Sequence, residues 1–434
     1  MKPKVHELRK KTNRKSVSKT FKITLFSFLA LFIFSCDSDD GDLNQETAVF
    51  AVAKIKSLTD IRNDVSVSAP QNTDSDGKIY VSQKYLFYIA KEEGVHVFNN
   101  QNPASPQNVA FINIEGVHDI AVKGDYLYAD NYVDMLVFDI SNPLNIQLVQ
   151  TLPNVVTFYP AYPDNAEFYD YESVPGPNEI ITGYALETRA RPEGPEVIMY
   201  EDAFDGFLAT NSGSVGTGGS YARFQIGNNA LYTVDSYQLN VFNIGEPAAI
   251  SFDKSVYMMS WFGGGQLETL FKQGDYLFVG ATNGMHVVDA TDEFNPYFLS
   301  GFSHATACDP VVVNGNTAYI TVRGGTTCGA TEDQVNVINI SDITSPSLVS
   351  TYLLDQPYGL GIKENTLYVC TGSGGLKVFN AANGSALELK NTYTDNVTDV
   401  IPMNDKLIAV GSNKIIQYSY GDNFTLTPIS TVTF

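Results

Sequence analysis

Apolar positions along this chain recur in short alternating runs, not at helical spacing. Between Lys78 and the C-terminus one phrase returns seven times in degraded form, most completely as GDYLYADNYVDMLVFDISNP at Gly124 to Pro143. Aligned on its second run, the phrase places Leu86, Leu127, Leu231, Leu277, Ala318, Leu367 and Leu407 at one position. An aromatic follows in six of the seven (Phe87, Tyr128, Tyr232, Phe278, Tyr319 and Tyr368), with Ile408 in the last. The intervals are 41, 104, 46, 41, 49 and 40 residues, so the phase holds except across one large insertion and one small one. A period of roughly 40 residues marks a chain built from one supersecondary unit that must bury its apolar faces against copies of itself.

Downstream of each anchor comes a third run: VHVFNN, MLVFDI, LNVFNI, MHVVDA, VNVINI, LKVFNA and the most worn, IIQYSY. The Asx near its end, at Asn99, Asp139, Asn243, Asp289, Asn339 and Asn380, predicts a turn, because a short polar side chain bonds its own backbone two residues on. Pro103, Pro143, Pro247, Pro296 and Pro346 follow where the chain reverses. A fourth run such as IQLVQTL or LTPISTVTF completes the unit, and an apolar run such as DIAVKG or DPVVVNG opens the next. Four short β-branched and aromatic strands per unit predict an all-β chain, a β-propeller of about seven four-stranded blades. Because Leu426 to Phe434 completes its own blade, closure of the ring rests on face packing or on an extra strand from Ala48 to Ile55.

Two segments depart from the repeat. An N-terminal extension before Gly77 carries one helical turn near Ser57 to Val65, where Ser57 with Asp60 forms an N-cap signature. The insertion, 153–219, is rich in Tyr, Pro, Gly and carboxylates and holds two strand-like pieces, EIITGYALE and PEVIMYEDA. It reads as an ordered loop domain in preference to a degenerate eighth blade.

The first 22 residues contain nine Lys and Arg, and Ile23 to Phe34 then form an apolar run too short to span a bilayer. That pattern is an export signal, assigned to 1–35. Ile33-Phe34-Ser35-Cys36 resembles a bacterial lipobox, which implies a lipid on Cys36 and anchoring of the mature chain in membrane lipid. The acidic tether Asp37-Ser38-Asp39-Asp40-Gly41-Asp42 resembles a surface-export tag, so the expected location is the outer membrane, exposed on the cell surface. The parts are then the tether and extension at 36–76 and the propeller at 77–434. Removing the signal leaves 18 basic against 47 acidic residues, a formal charge near −29. A chain so acidic disfavours nucleic acid and anionic headgroups as partners and leaves divalent cations, cationic groups and neutral ligands such as glycans.

The repeat resembles that of the LVIVD-repeat proteins, in which a Gly-Asn/Asp-Tyr turn and an aromatic strand precede an apolar strand ending Asp-Ile/Val-Ser-x-Pro. Gly124-Asp125-Tyr126 and Asp139-Ile140-Ser141-Asn142-Pro143 carry the likeness. KIYVSQKYLF at Lys78 to Phe87, GTGGSYARF at Gly216 to Phe224, ACDPVVV at Ala307 to Val313 and YGLGI at Tyr358 to Ile362 look like one lipoprotein subgroup. The resemblance implies a propeller at the cell surface and names no reaction.

Cys308 and Cys328 lie in one repeat of an exported chain and are expected to pair, closing a loop of about 20 residues that contributes on the order of 3 kcal/mol. Cys370, inside the strand LYVCTG, is expected to be a buried, inert thiol.

In a propeller the inner-strand starts and the inter-blade connections share the face on which the central channel opens. A polar ring there comprises His118-Asp119, Ala222-Arg223, Glu268-Thr269, Asp309-Pro310, Tyr358-Gly359 and Thr398-Asp399. With Trp261 and insertion tyrosines such as Tyr159, Tyr162, Tyr169 and Tyr171, these residues predict a mouth for an extracellular glycan, protein or other ligand. Calcium is the one cation that His118, His304 and the ring carboxylates suggest, although no metal motif or cofactor fingerprint stands in the chain. His96 and His286 occupy equivalent third-run positions and belong to the repeat pattern. No nucleophile motif appears, so a non-enzymatic binding module is the leading expectation. The alternatives are a polysaccharide hydrolase or lyase using Glu268, Asp309 and Asp399, and a structural surface component.

Overall fold

Among the described residues the repeat folds as seven antiparallel blades, and the chain is a β-propeller. The computed structural model describes residues 46–73, 77–82, 84–192, 217–258, 265–303, 310–324, 332–384 and 386–433. Within them, blades 1 to 7 span 77–113, 120–152, 224–257, 267–303, 311–353, 360–393 and 399–433. The seven anchor residues are wholly buried, and the residue after each is no more than 4% exposed. All six predicted Asx turns form: each side-chain oxygen accepts the backbone N–H two residues on at 2.9–3.0 Å. In every blade the outer strand slips register opposite the end of the third, a bulge that increases its twist.

Aromatics join successive blades. Tyr80 Oη of blade 1 accepts Val122 N at 2.9 Å, Tyr128 Oη donates to Pro247 O at 3.2 Å, and Tyr232 Oη donates to Glu293 O at 2.9 Å. The ring closes by face packing: Ile79, Tyr88 and Phe98 of blade 1 share a core cluster with Ile401, Ile408 and Ile415 of blade 7. Beside that cluster the buried amides of Gln417 and Asn100 bond each other reciprocally, at 2.8 and 3.0 Å. The final strand, Leu426–Thr433, stays in its own blade.

The strand containing Ala48 to Ile55 takes no part in that closure. Thr47–Ser57 pairs along nearly its whole length with Glu179–Ala190 and briefly with Phe168–Tyr169, forming a separate three-stranded sheet. This part of the insertion is therefore sheet and not loop, while PEVIMYEDA lies outside the described residues. The helix Leu58–Asp64 follows at the expected place, with Ser57 Oγ accepting Thr59 N at 3.2 Å. It docks on blade 2: Leu58 and Ile61 pack on Tyr132, and Arg62 clasps the buried Asp134 through two bonds of 2.6 and 2.9 Å.

The exit of the insertion is strung across the hub. Thr217–Gly218 pairs with Tyr80–Val81 of blade 1. Ser220 then meets blades 6 and 7, its Oγ accepting Leu360 N at 2.8 Å and donating to Asp399 Oδ1 at 3.3 Å. Arg223 N and Phe224 N reach back to Asp119 Oδ2 of blade 2 at 2.7 and 3.3 Å. Gly219 and Gly359 flank the Asp399 carboxylate so closely that a Cβ on either would collide with it. Burial pushes Asp399 up to about 7, and its Oδ2 is buried without a hydrogen-bond donor.

Two outcomes are expected. Gln417→Leu leaves Asn100 buried and unsatisfied and costs about 2 kcal/mol in chemical denaturation, whereas adding Asn100→Leu recovers most of the loss. Asp399, raised from 3.8 to about 7, favours the folded state fully below the lower value, and that contribution is lost as pH rises through the upper one. Asp399→Asn removes this titration, so melting temperatures should show the variant gaining on the native chain between pH 5 and pH 8. A constant difference between the two proteins across that range would refute the assignment.

Candidate functional site

The second residue of each inner-strand start sits at one level of the hub. Lys78, Asp119, Arg223, Thr269, Pro310, Gly359 and Asp399 each lie opposite the third residue after the anchor of their own blade. Four are ionisable, and they fall in adjacent blades 7, 1, 2 and 3 with alternating sign: Asp399, Lys78, Asp119, Arg223. Lys78 was not among the residues picked out from sequence. It is 6% exposed, its Nζ is 3.9 Å from Asp119 Oδ2, and it donates no hydrogen bond among the described residues. Burial lowers it to about 8, against the pull of Asp119. Burial likewise raises Asp119, whose oxygens are taken by the amides of Ile120, Arg223 and Phe224. Asp119 and Asp399 thus staple backbone, and neither lines the cavity described next.

One residue earlier in the same strands, the side chains turn to a cavity of about 650 Å³. His118 of blade 2 and Glu268 of blade 4 line it, together with Arg223 of blade 3. Its other wall is the N-terminal and insertion strands, at Lys54 to Lys56 and Thr182 to Tyr184, and the segment Val156 to Ala161. Tyr132, Phe158 and Tyr159 supply aromatic surface, and the His118 and Phe158 rings lie 5.5 Å apart.

His118 is held by a residue that the sequence reading passed over. Asp130 Oδ2 lies 3.1 Å from His118 Nδ1, and Asp130 Oδ1 accepts the N–H groups of His118 and Asp119 at 2.8 and 2.9 Å. These bonds, the His118 side chain first, hold Asp130 below the usual carboxylate range against the opposing effect of burial. A carboxylate only accepts, so Nδ1 carries a proton toward Asp130, and in the neutral ring Nε2 is the acceptor. The sequence signal was present: at the position of Asp130 the other blades have Ile89, Val234, Gly280, Thr321, Cys370 and Val410, none of them charged.

The remaining candidates fall elsewhere. Tyr358 lies beneath the Arg323 guanidinium at 4.3 Å and is not part of the cavity wall. Of the four insertion tyrosines named from the sequence, Tyr159 reaches the cavity, whereas Tyr162, Tyr169 and Tyr171 pack on one another, and Tyr162 and Tyr169 also on Tyr184, which lines it. Trp261, His304, Asp309 and the expected Cys308–Cys328 pair lie outside the described residues. Cys370 is a buried free thiol raised well above its ordinary value by burial. Burial also lowers His96 and His286 to about 4, among aromatic neighbours within their own blades. Among the described residues no three His, Cys, Asp or Glu side chains gather as a metal site.

The sequence model of the LVIVD repeat matches residues 116–152 and 264–300, which cover blade 2 and blade 4. No curated protein matches the chain significantly. Among solved structures, a protein from Lactobacillus plantarum is similar at 13% identity and a TM-score of 0.54, over 82% of this chain and 96% of that one. The periplasmic gluconolactonase of Pseudomonas aeruginosa is similar at 10% identity and a TM-score of 0.53, over 82% of this chain and 95% of its own. That neighbour is an enzyme on the propeller fold, which corrects the expectation that this chain is not one: the fold carries no argument against catalysis, and at 10% identity the likeness shows the fold alone. The chain is a β-propeller with LVIVD repeats recognisable in two of its blades.

Proposed function

We propose that the cavity binds a small, hydroxyl-rich ligand of the sugar class, and that a lipid on Cys36 presents it at the cell surface. The observation that supports this most is convergence: His118, Arg223 and Glu268 come from inner strands of three different blades and line one cavity with aromatic walls. Its volume of about 650 Å³ lies within the range of small-ligand sites, which combine apolar faces with a few placed polar groups. Aromatic faces beside hydrogen-bonding groups suit a ligand with C–H faces and hydroxyl edges.

A second reading has its own support in the His118–Asp130 pair. An imidazole oriented by a buried carboxylate, with Nε2 free to accept, is the arrangement of a general base, and a water or hydroxyl at Nε2 would serve hydrolysis of a bound ester or lactone. Of the carboxylates expected for the polysaccharide route, Glu268 lines the cavity, Asp399 lies in the hub and Asp309 is outside the described residues.

Calorimetric titration with neutral hexoses, hexuronates and aldonolactones is expected to show saturable binding by at least one of these classes. His118→Ala should weaken it roughly tenfold, the loss of about one hydrogen bond. Flat titrations throughout would reject the ligand class. If a lactone or ester is consumed, and His118→Ala slows turnover by roughly 10²–10⁴, the second reading replaces the first. The anchor is tested separately: radiolabelled palmitate should enter the native chain and not Cys36→Ser, and protease added to intact cells should cleave only if the chain faces outward.

A further inference from the structure

Nearly every ionisable group on the cavity wall has a partner within the fold or faces solvent. His118 is paired with Asp130, Lys56 with Glu115 at 2.5 Å and Lys91 with Glu92 at 3.3 Å. Asp235 accepts the amides of Tyr237 and Gln238 at 2.9 Å each, Glu268 has an interaction partner of its own, and Lys54 is exposed to solvent. Arg223 is the exception. Among the described residues its guanidinium has no hydrogen bond and no ion pair, and its Nε is buried without an acceptor. The Asp119 carboxylate beside it takes the Arg223 backbone N–H, not the side chain. In a chain with 48 acidic and 27 basic residues, an unmatched guanidinium in a cavity wall calls for an explanation. Arg223 is half-buried, and burying its Nε without an acceptor carries a cost that an anion supplied from outside relieves.

Resting on the reading of the cavity as a ligand site, we infer that Arg223 takes a carboxylate of the ligand, so that the site selects hydroxylated monocarboxylic acids over neutral sugars. The placement is rigid: Arg223 N is held by Asp119 and its carbonyl oxygen accepts Val234 N at 2.9 Å, so the side chain leaves backbone held on both sides just before the strand Phe224–Ile226. A planar fork of donors matches the two oxygens of a carboxylate. Behind it stands a second cation, Lys78, whose Nζ donates no hydrogen bond and whose charge is opposed by burial first and by Arg223 as well. A negative group at Arg223 favours both. The same wall carries Asp130, Asp235 and Glu268, which face any ligand that enters and disfavour a doubly charged phosphate relative to a single carboxylate.

The full chain, titrated calorimetrically at pH 7, should bind D-glucuronate at least tenfold more tightly than D-glucose, and more tightly than D-glucose 6-phosphate. Arg223→Gln should bring glucuronate down to the level of glucose at a melting temperature no lower than that of the native chain, because the lost side chain makes no bond within the fold. Equal affinities for acid and neutral sugar, a preference for the phosphate, or a glucuronate preference that survives Arg223→Gln would overturn the inference. A probe independent of sugar recognition separates the two readings. In deuterated, 15N-labelled protein, acetate should move the Arg223 side-chain Nε–H resonance and neutral acetamide should not. If neither sugar binds while acetate alone moves that resonance, the hydroxylated-ligand reading fails and the carboxylate subsite stands. If acetate and acetamide act alike, the subsite fails.

Discussion

The structure depends on how two carboxylates at the centre of the ring find donors. Asp119 and Asp399 occupy the same position in blades 2 and 7, and both are buried. A buried carboxylate needs hydrogen bonds or protonation, and the last residues of the insertion provide the bonds. Arg223 and Phe224 satisfy Asp119, and Ser220 serves Asp399. A stretch of eight residues, 217–224, thereby touches blades 1, 2, 6 and 7 before it becomes blade 3. The second of its two glycines has a steric reason: the carboxylate of Asp399 fills the space that a Cβ at Gly219 would occupy. The insertion is thus part of the hub as well as an ornament on one face, and the same eight residues that secure the ring deliver Arg223 to the cavity.

The repeat was readable because its physics is local. An anchor leucine followed by an aromatic buries both faces of a central strand, and an Asx at the end of the third strand bonds its own backbone, so each blade announces itself within 40-odd residues. The same holds for the helix, where Ser57 caps a turn only seven residues long. What could not be read was the choice of partner at long range. Thr47–Ser57 alternates like any edge strand, and nothing within it says that its partner is Glu179–Ala190, more than 100 residues away, in preference to an open edge of the ring. Partner choice there is settled by docking on blade 2, through Tyr132, Asp134 and the bond from Lys56 to Glu115, and not by the strand's own composition.

The site was half legible for a related reason. His118, Arg223 and Glu268 were found by counting back from the anchors, and the structure brings all three to one cavity. The same count applied to blade 1 arrives at Lys78, but that strand opens straight after the extension, where no preceding blade marks its start. Asp130 was missed because it stands inside a strand, at a position where the six other blades are uncharged; a buried charge that breaks a repeat is as strong a signal as any motif. Tyr358 was a candidate by position alone, and position alone does not say that its ring faces Arg323 instead of the cavity.

The overall charge of the chain and the charge of its cavity argue in opposite directions, and distance decides between them. A formal charge of −21 repels anions at long range, which is sound ground for setting aside nucleic acid and anionic membranes. Salt screens that field within a Debye length of about 8 Å at physiological ionic strength, so a small molecule at the cavity mouth responds mainly to the groups that line it. There Asp130 is engaged by His118, Asp235 by backbone amides, Glu115 and Glu92 by lysines and Glu268 by a partner of its own, whereas among the described residues the guanidinium of Arg223 is not. In a partly desolvated wall a single unmatched charge outweighs many solvated ones, because the effective dielectric constant falls as water is excluded. An acidic protein can therefore hold an anion-selective pocket without contradiction, provided that the selectivity comes from one fixed cation and not from the surface.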